Sequence, residues 1–331
     1  MIREVRDKGV VWSGEFDTYH QSVPPLLDAT NLLAELAGHQ RVLIKPNLVE
    51  ALDPPITTPI DMVEALVDYL LFHNSEIRII VGEGTGALEY DTFHCFEQLG
   101  YLKLLDKERV ELLDLNIEPC RRLTSDACKR WPELYLPELL FDCFLISVPV
   151  LKAHSLCRVT LTMKNMMGCA PPAHYQQGGA WGKSSFHRKL DEAVFDLNRY
   201  RAPDFTVIDG AVGMAKAHLW GPTCNPPVNK IIASYDPVAV DACGTSLLKK
   251  IMEGYRPYLD GQWRSWSGGA AGNPGACCRL EITFSKEKRG ERLTVLPFLL
   301  IADKAITRFS FPLSSLQEQP QGLPQQAVLR C

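Results

Sequence analysis

The sequence predicts a layered α/β fold, a mainly parallel sheet with helices on both faces, built as two lobes around a cleft or as one large unit. Two observations carry this expectation. Short apolar runs recur between residues 41 and 234, each bounded by polar or turn-forming residues. Amphipathic segments with apolar residues at helical spacing alternate with them.

The runs read as buried parallel strands are Arg41–Asn47, Ile77–Glu83, Val110–Leu115, Cys143–Pro149, Phe205–Asp209 and Lys230–Ser234. Pro59–Phe72 reads as a helix with proline in its first turn. His187–Tyr200 repeats the helical pattern through Leu190, Val194 and Leu197. Asp236–Leu248 opens on Asp-Pro, a capping residue followed by proline at the first helical position. Cys169–Ser185 has no clear period and reads as a long loop in which His174 and Trp181 would close over a ligand. Residues 1–250 are expected to form the α/β core and 251–331 an atypical C-terminal extension. Within that extension LEITF and LTVLPFLLI would form a hairpin, and the Gln-, Pro- and Ser-rich tail from Ser314 would be disordered.

Composition narrows the function classes. The 331 residues are 46% apolar, enough for a sizeable core, and the formal charge of −4 argues against nucleic-acid or membrane-surface binding. No run of about 18 apolar residues exists to span a membrane. The opening MIREVRDKGVVW lacks the apolar stretch of a signal peptide, so a cytoplasmic protein is expected. The eleven cysteines include no CxxC pair, and in a reducing compartment they read mostly as buried thiols.

The strand ends are chemically unusual. They run into Lys45-Pro46-Asn47, Gly82-Glu83-Gly84-Thr85-Gly86, Lys152 with His154, Asp209-Gly210, and Ser234 with Asp236. Ligands of parallel sheets bind beyond the carboxyl ends of strands, so these ends point to one cleft. The segment LKAHSLCRVTLTMKNMMG is densest, with Lys152, His154, Lys164 and Asn165 among apolar neighbours. If Val159–Met167 is helical, Thr160 and Lys164 share a face. A lysine in such surroundings loses hydration, which lowers its pKa and suits acid/base or Schiff-base chemistry. The expected catalytic groups are Lys152, His154, Lys164 and His187. The expected substrate-binding groups are Lys45, Asn47, Thr160, Asn165 and Gly84, whose glycine-rich loop is either a phosphate cradle or a simple turn. Glu83, Asp209 and Asp236 would supply carboxylates for a divalent metal.

Several of these pieces occur in a recognisable order: VLIKPNLV, Thr57-Thr58-Pro59, IIVGEGTG, SVPVLKAH, TLTMKNMMG, FTVIDG with Gly221-Pro222, and IIASYDPVAVDACGTSLL. In these motifs, over roughly residues 38–250, the chain resembles the prokaryotic family named domain of unknown function 362. The resemblance implies an α/β core whose reaction is not generally established. Many members carry a fused ferredoxin-type domain with CxxCxxC motifs. None occurs here, so an iron–sulfur cluster is not expected within this chain and a redox role would need a separate ferredoxin. The family core is also similar in layout to nickel-pincer lactate racemases, which use histidines and lysines between two lobes. The leading expectation is an enzyme acting on a small anionic metabolite with a metal or redox partner. The alternatives are a non-catalytic, iron–sulfur-associated electron-transfer partner and a metal- or cofactor-dependent isomerase or racemase.

Overall fold

The computed structural model describes residues 7–216, 218–254, 281–287, 290–295 and 328–330. The elements, in chain order, begin with β1 (Val10–Glu15), α1 (Tyr19–Thr30), α2 (Leu32–Glu35), β2 (Arg41–Pro46), α3 (Ile60–His73), β3 (Arg78–Glu83), α4 (Thr92–Gln98) and β4 (Val110–Asp114). A small hairpin, β5 (Cys120–Thr124) and β6 (Glu133–Pro137), precedes β7 (Phe144–Val148), β8 (Val150–His154) and β9 (Arg158–Val159). Two single-turn helices follow, α5 (Thr162–Asn165) and α6 (Pro172–Tyr175), then α7 (Leu190–Tyr200), β10 (Phe205–Met214), β11 (Lys230–Ser234) and α8 (Pro237–Gly254). The described part closes with β12 (Glu281–Glu287), β13 (Gly290–Val295) and β14 (Val328–Arg330).

The main sheet has the order β14-β12-β13-β1-β11-β10-β7-β2-β3-β4, with β8 paired beside β10. From β10 to β4 the strands are parallel. Side chains alternate across this parallel run as the strand period requires. Val42, Ile44, Ile79 and Val81 pack in one core with α1 and α3, whereas Leu43, Ile80 and Leu145 pack in the opposite core with α7. A third cluster joins Ile208 and Ile232 to Val240 and Cys243 of α8. Helices therefore cover both faces. No helix among the described residues is long and apolar enough to cross a membrane.

Four expectations need correction or extension. Lys230–Ser234 is a strand, but it runs antiparallel to β10 rather than parallel. An apolar run encodes burial on both faces, not direction. Phe205–Asp209 continues as β10 to Met214, because β8 and β11 pair with the added residues. Val159–Met167 is not one helix. Val159 pairs in β9, α5 begins at Thr162, and a tight 3-10 turn over Met166–Cys169 follows. His187 closes a separate turn, Ser184–His187, and the long helix starts at Leu190.

The 280–301 region does contain a hairpin, β12 with β13, and β13 pairs antiparallel with β1. Part of the 251–331 segment thus shares the main sheet. Residues 296–301 of the expected hairpin, and the tail from Ser314 apart from β14, lie outside the described residues.

Asp236 is the N-terminal cap of α8. Its carboxylate accepts from the backbone N–H groups of Val238 and Ala239, each at 3.0 Å, and from Gly9 across the fold at 3.0 Å. Replacing such a cap by alanine costs about 0.5–2 kcal/mol. Asp236→Ala is expected to lower urea-unfolding stability by that amount, equally with and without added divalent metal. A loss that appears only with metal present would restore a metal-binding role.

Candidate functional site

The carboxyl ends of β2, β3 and β7 lie side by side in parallel register, with Lys45 opposite Ser147 and Glu83 opposite Asp114. Lys45 and Glu83 are fully buried and form an ion pair at 2.7 Å. The remaining valences of both groups are met. Lys45 Nζ also donates to Asn165 Oδ1 at 3.2 Å and to the Pro46 carbonyl at 3.1 Å. Glu83 accepts from the backbone N–H of Leu48 at 2.9 Å and of Gly84 at 2.8 Å. Asn165 returns its amide to the Lys45 carbonyl and to Ser147 Oγ. One network thus ties β2, β3 and β7 to α5. Gly168 lies over it so closely that a Cβ there would overlap Glu83 Oε1 and Lys45 Nζ.

Above this floor is a cavity of about 310 Å³. Its wall includes Lys152, Lys164, Lys183, His154, His187 and His218. Asn47, Thr160, Gly84, Gly86 and Trp181 complete other parts of it. Glu83 is the one carboxylate among the described lining residues, and Lys45 already neutralises it.

The charge state follows from burial. Lys152, at the end of β8, is pulled down to about 7, first by burial and then by the nearby Lys164 charge. It donates one hydrogen bond, to the Ile56 carbonyl. Burial lowers Lys164 as well. Lys183, which donates to Asn116 Oδ1, is held at about 8, again by burial. His154, His187 and His218 are all shifted down by burial first and by the charge of Lys164 second, His218 to about 4. The histidines are therefore neutral at physiological pH.

His154 has a defined tautomer. Its Nδ1 accepts from the backbone N–H groups of Leu156 at 3.0 Å and Cys157 at 3.3 Å. Nδ1 then carries no proton, so the neutral ring holds its proton on Nε2. His154 is a fixed hydrogen-bond donor, and its Nε2 has no lone pair for a metal. The His218 ring stacks on it with centroids 4.0 Å apart.

The single-turn α5 that carries Lys164 and Asn165 is fixed from outside. Asp241 of α8 accepts from the backbone N–H groups of Thr162 at 2.8 Å and Met163 at 3.0 Å. Asn198 of α7 donates to the Met163 carbonyl at 2.8 Å.

The residues expected from sequence divide into three groups. Lys152, His154, Lys164, His187, Asn47 and Thr160 line the cavity, although Thr160 and Lys164 meet through a strand-turn-helix path rather than along one helix. Lys45, Glu83 and Asn165 also border it but are saturated by one another, so their expected substrate and metal roles give way to support of the floor. Asp209 and Asp236 are not in the cavity wall. Asp209 accepts from Tyr19 Oη at 3.2 Å and from the Ala211 N–H at 2.9 Å, and Asp236 caps α8.

Gly84 is no phosphate cradle. Its N–H is spent on Glu83, while those of Thr85, Gly86 and Ala87 go to Thr92 Oγ1, the Val49 carbonyl and Thr85 Oγ1. In the long loop Trp181 reaches the cavity, but His174 stacks on Tyr135 instead. Lys183 and His218 were not singled out from sequence. His218 had one available signal: Lys-Ala-His occurs twice, at 152–154 and 216–218, and the two histidines stack.

Among the described residues no three His, Cys, Asp or Glu side chains are placed to hold a metal ion. The described cysteines are free, and Cys95, Cys128, Cys143, Cys169, Cys224 and Cys243 are buried.

The family model described as domain of unknown function (DUF362) matches residues 42–246. No curated protein matches the chain. A solved structure similar to it is the lactate racemase apoprotein from Thermoanaerobacterium thermosaccharolyticum, with a TM-score of 0.42 and 14% identity over 73% of this chain. The match spans 58% of that protein.

Two outcomes test the geometry. Removing one partner of a buried ion pair costs about 3–5 kcal/mol. Glu83→Gln is expected to lose stability of that order in urea unfolding, and Lys45→Met added to it should recover part of the loss. Additive losses would break the coupling inferred for the pair. The second outcome concerns pH. Lys152 binds its proton less tightly folded, at about 7, than at the ordinary lysine value of 10.5. Between those values the unfolded chain holds the extra proton, so stability rises with pH across that window and the full penalty applies below it. Lys152→Met is expected to be more stable, relative to wild type, at pH 6 than at pH 9.5. Parallel stability–pH curves for the two proteins would refute the shift.

Proposed function

The chain belongs to the domain of unknown function 362 family, and from its cavity we propose that it is an enzyme that binds a small anionic metabolite and moves a proton through Lys152. One observation carries the reading: Lys152, Lys164 and Lys183 share one cavity wall with His154, His187 and His218, while the only lining carboxylate among the described residues is already paired. Lysines in excess of carboxylates in a partly enclosed site favour an anion, and the low dielectric strengthens that preference.

Each group has a role that its surroundings suit. Lys164, which makes no hydrogen bond or ion pair among the described residues, holds the anion. His154 donates from Nε2 to a neutral acceptor of the metabolite. Lys152, poised near neutral pH, accepts or returns a proton, the condition under which acid/base catalysis is most effective. Asn47 Oδ1, buried at the cavity without a hydrogen-bond partner, offers an acceptor for a hydroxyl or amide of the ligand. The volume, near the lower end for small-molecule sites, suits a metabolite rather than a dinucleotide. Metal and ferredoxin roles form no part of this reading.

Two measurements test it. Thermal unfolding against a panel of charged and neutral metabolites is expected to show stabilisation by anions, lost in Lys164→Gln. Stabilisation by neutral compounds alone would overturn the assignment. Carbon-13 NMR of labelled lysine side chains should show one resonance titrating near pH 7 that disappears in Lys152→Arg. If every lysine titrates near 10, the proton-transfer role fails.

A further inference from the structure

The cavity's charge is not spread evenly. Around Glu83 the groups balance. Lys45 pairs with Glu83, and Lys183 sits within the fields of Glu83 and Asp114 while donating to Asn116. At the other end Lys164 acts electrostatically on Lys152, His154, His187 and His218. Among the described lining residues, Glu83 reaches that second set only through its field on Lys152, and Lys164 has no wall carboxylate acting on it.

The donors at this end outnumber what a carboxylate can use. Among the described residues Lys164 brings all of its N–H groups unspent, Lys152 has all but one, and His154 adds its fixed Nε2–H. Neutral His218 carries a ring N–H as well, whereas the single N–H of neutral His187 is spent on the Ser184 carbonyl. A carboxylate offers two oxygens in one plane. A tetrahedral phosphoryl group offers three terminal oxygens spread in space, with a second negative charge above a pKa of about 6. The glycine-rich loop cannot supply the usual backbone cradle, since its amides are consumed, so side chains must do this work. Beside the balanced end, Trp181, Val49 and Gly86 form an uncharged wall.

Resting on the anion-binding reading above, we propose that the metabolite is a phosphate monoester. Its phosphoryl group sits between Lys164 and His218, and its uncharged body extends toward Trp181 and Gly86. His154 donates to the ester region, and Lys152 faces the carbon skeleton.

The test is titration of the full chain, by isothermal calorimetry and phosphorus-31 NMR, with inorganic phosphate, phenyl phosphate, sulfate, acetate and malonate. Phosphate is expected to bind at least tenfold tighter than acetate or malonate. Phenyl phosphate should bind tighter still, with that gain lost in Trp181→Ala. Lys164→Gln and His218→Gln, each checked for folding by circular dichroism, should weaken phosphate at least tenfold, while the surface variant Lys103→Ala should not. If malonate or acetate matches phosphate, the phosphoryl assignment is overturned and the anion site stands. Sulfate, also a tetrahedral dianion, is expected to match inorganic phosphate; sulfate tenfold weaker would overturn the argument from shape and charge. Phosphate binding unchanged in both variants would place the ion elsewhere and overturn the proposed seat. No binding of any anion would overturn this inference and the functional reading together.

Discussion

The Lys45–Glu83 ion pair is the constraint from which the architecture of the site follows. A lysine and a glutamate, each shut away from water, persist only if they find each other and every remaining donor and acceptor is met. Meeting that condition fixes much else. The second carboxylate oxygen holds the Leu48 amide, and the loop after β2 turns there. The third lysine proton goes to Asn165, which clamps α5 against the strand ends. Gly168 must remain without a side chain for the pair to fit beneath it. The polar groups at the sheet's edge are thus divided between those that build the floor and those left to face a ligand.

That division separates lysines which look alike in sequence. Lys45 and Lys164 both sit among apolar residues. One is saturated by Glu83, Asn165 and a carbonyl, whereas the other reaches the cavity on a helix turn held from outside by Asp241 and Asn198. A comparable split holds for the acids. Glu83 is spent internally, Asp236 on a helix terminus and Asp209 on a tyrosine hydroxyl, so among the described residues the lysine-rich wall is left without a free carboxylate.

Much of the fold was legible because burial writes itself into apolar runs and helix starts into Asp-Pro or Pro. β2, β3, β4 and β7 fall within a residue or so of their expected bounds. Strand direction was not legible, which is why β11 was expected to be parallel. The site was legible where chemistry was dense, around Lys152–Asn165. It was not where partners are remote in sequence. Nothing local distinguishes Glu83 as an ion-pair partner of Lys45, or shows Lys183 approaching Asn116 from 67 positions away. The Lys-Ala-His duplication that leads to His218 is visible in the sequence, but only the stacking of the two rings gives it meaning.

The cluster around Lys164 also bears on how long the protein survives. Lys164 and Lys152, held out of water where they keep their protons poorly, place the native state under a tension that the proposed anion would relieve. By mass action, an anion that binds only the folded chain adds stability in proportion to the logarithm of its concentration above Kd. On the proposed anion binding, the fraction of molecules open to proteases would fall as the ligand accumulates, so the cavity would couple the protein's lifetime to its ligand's concentration.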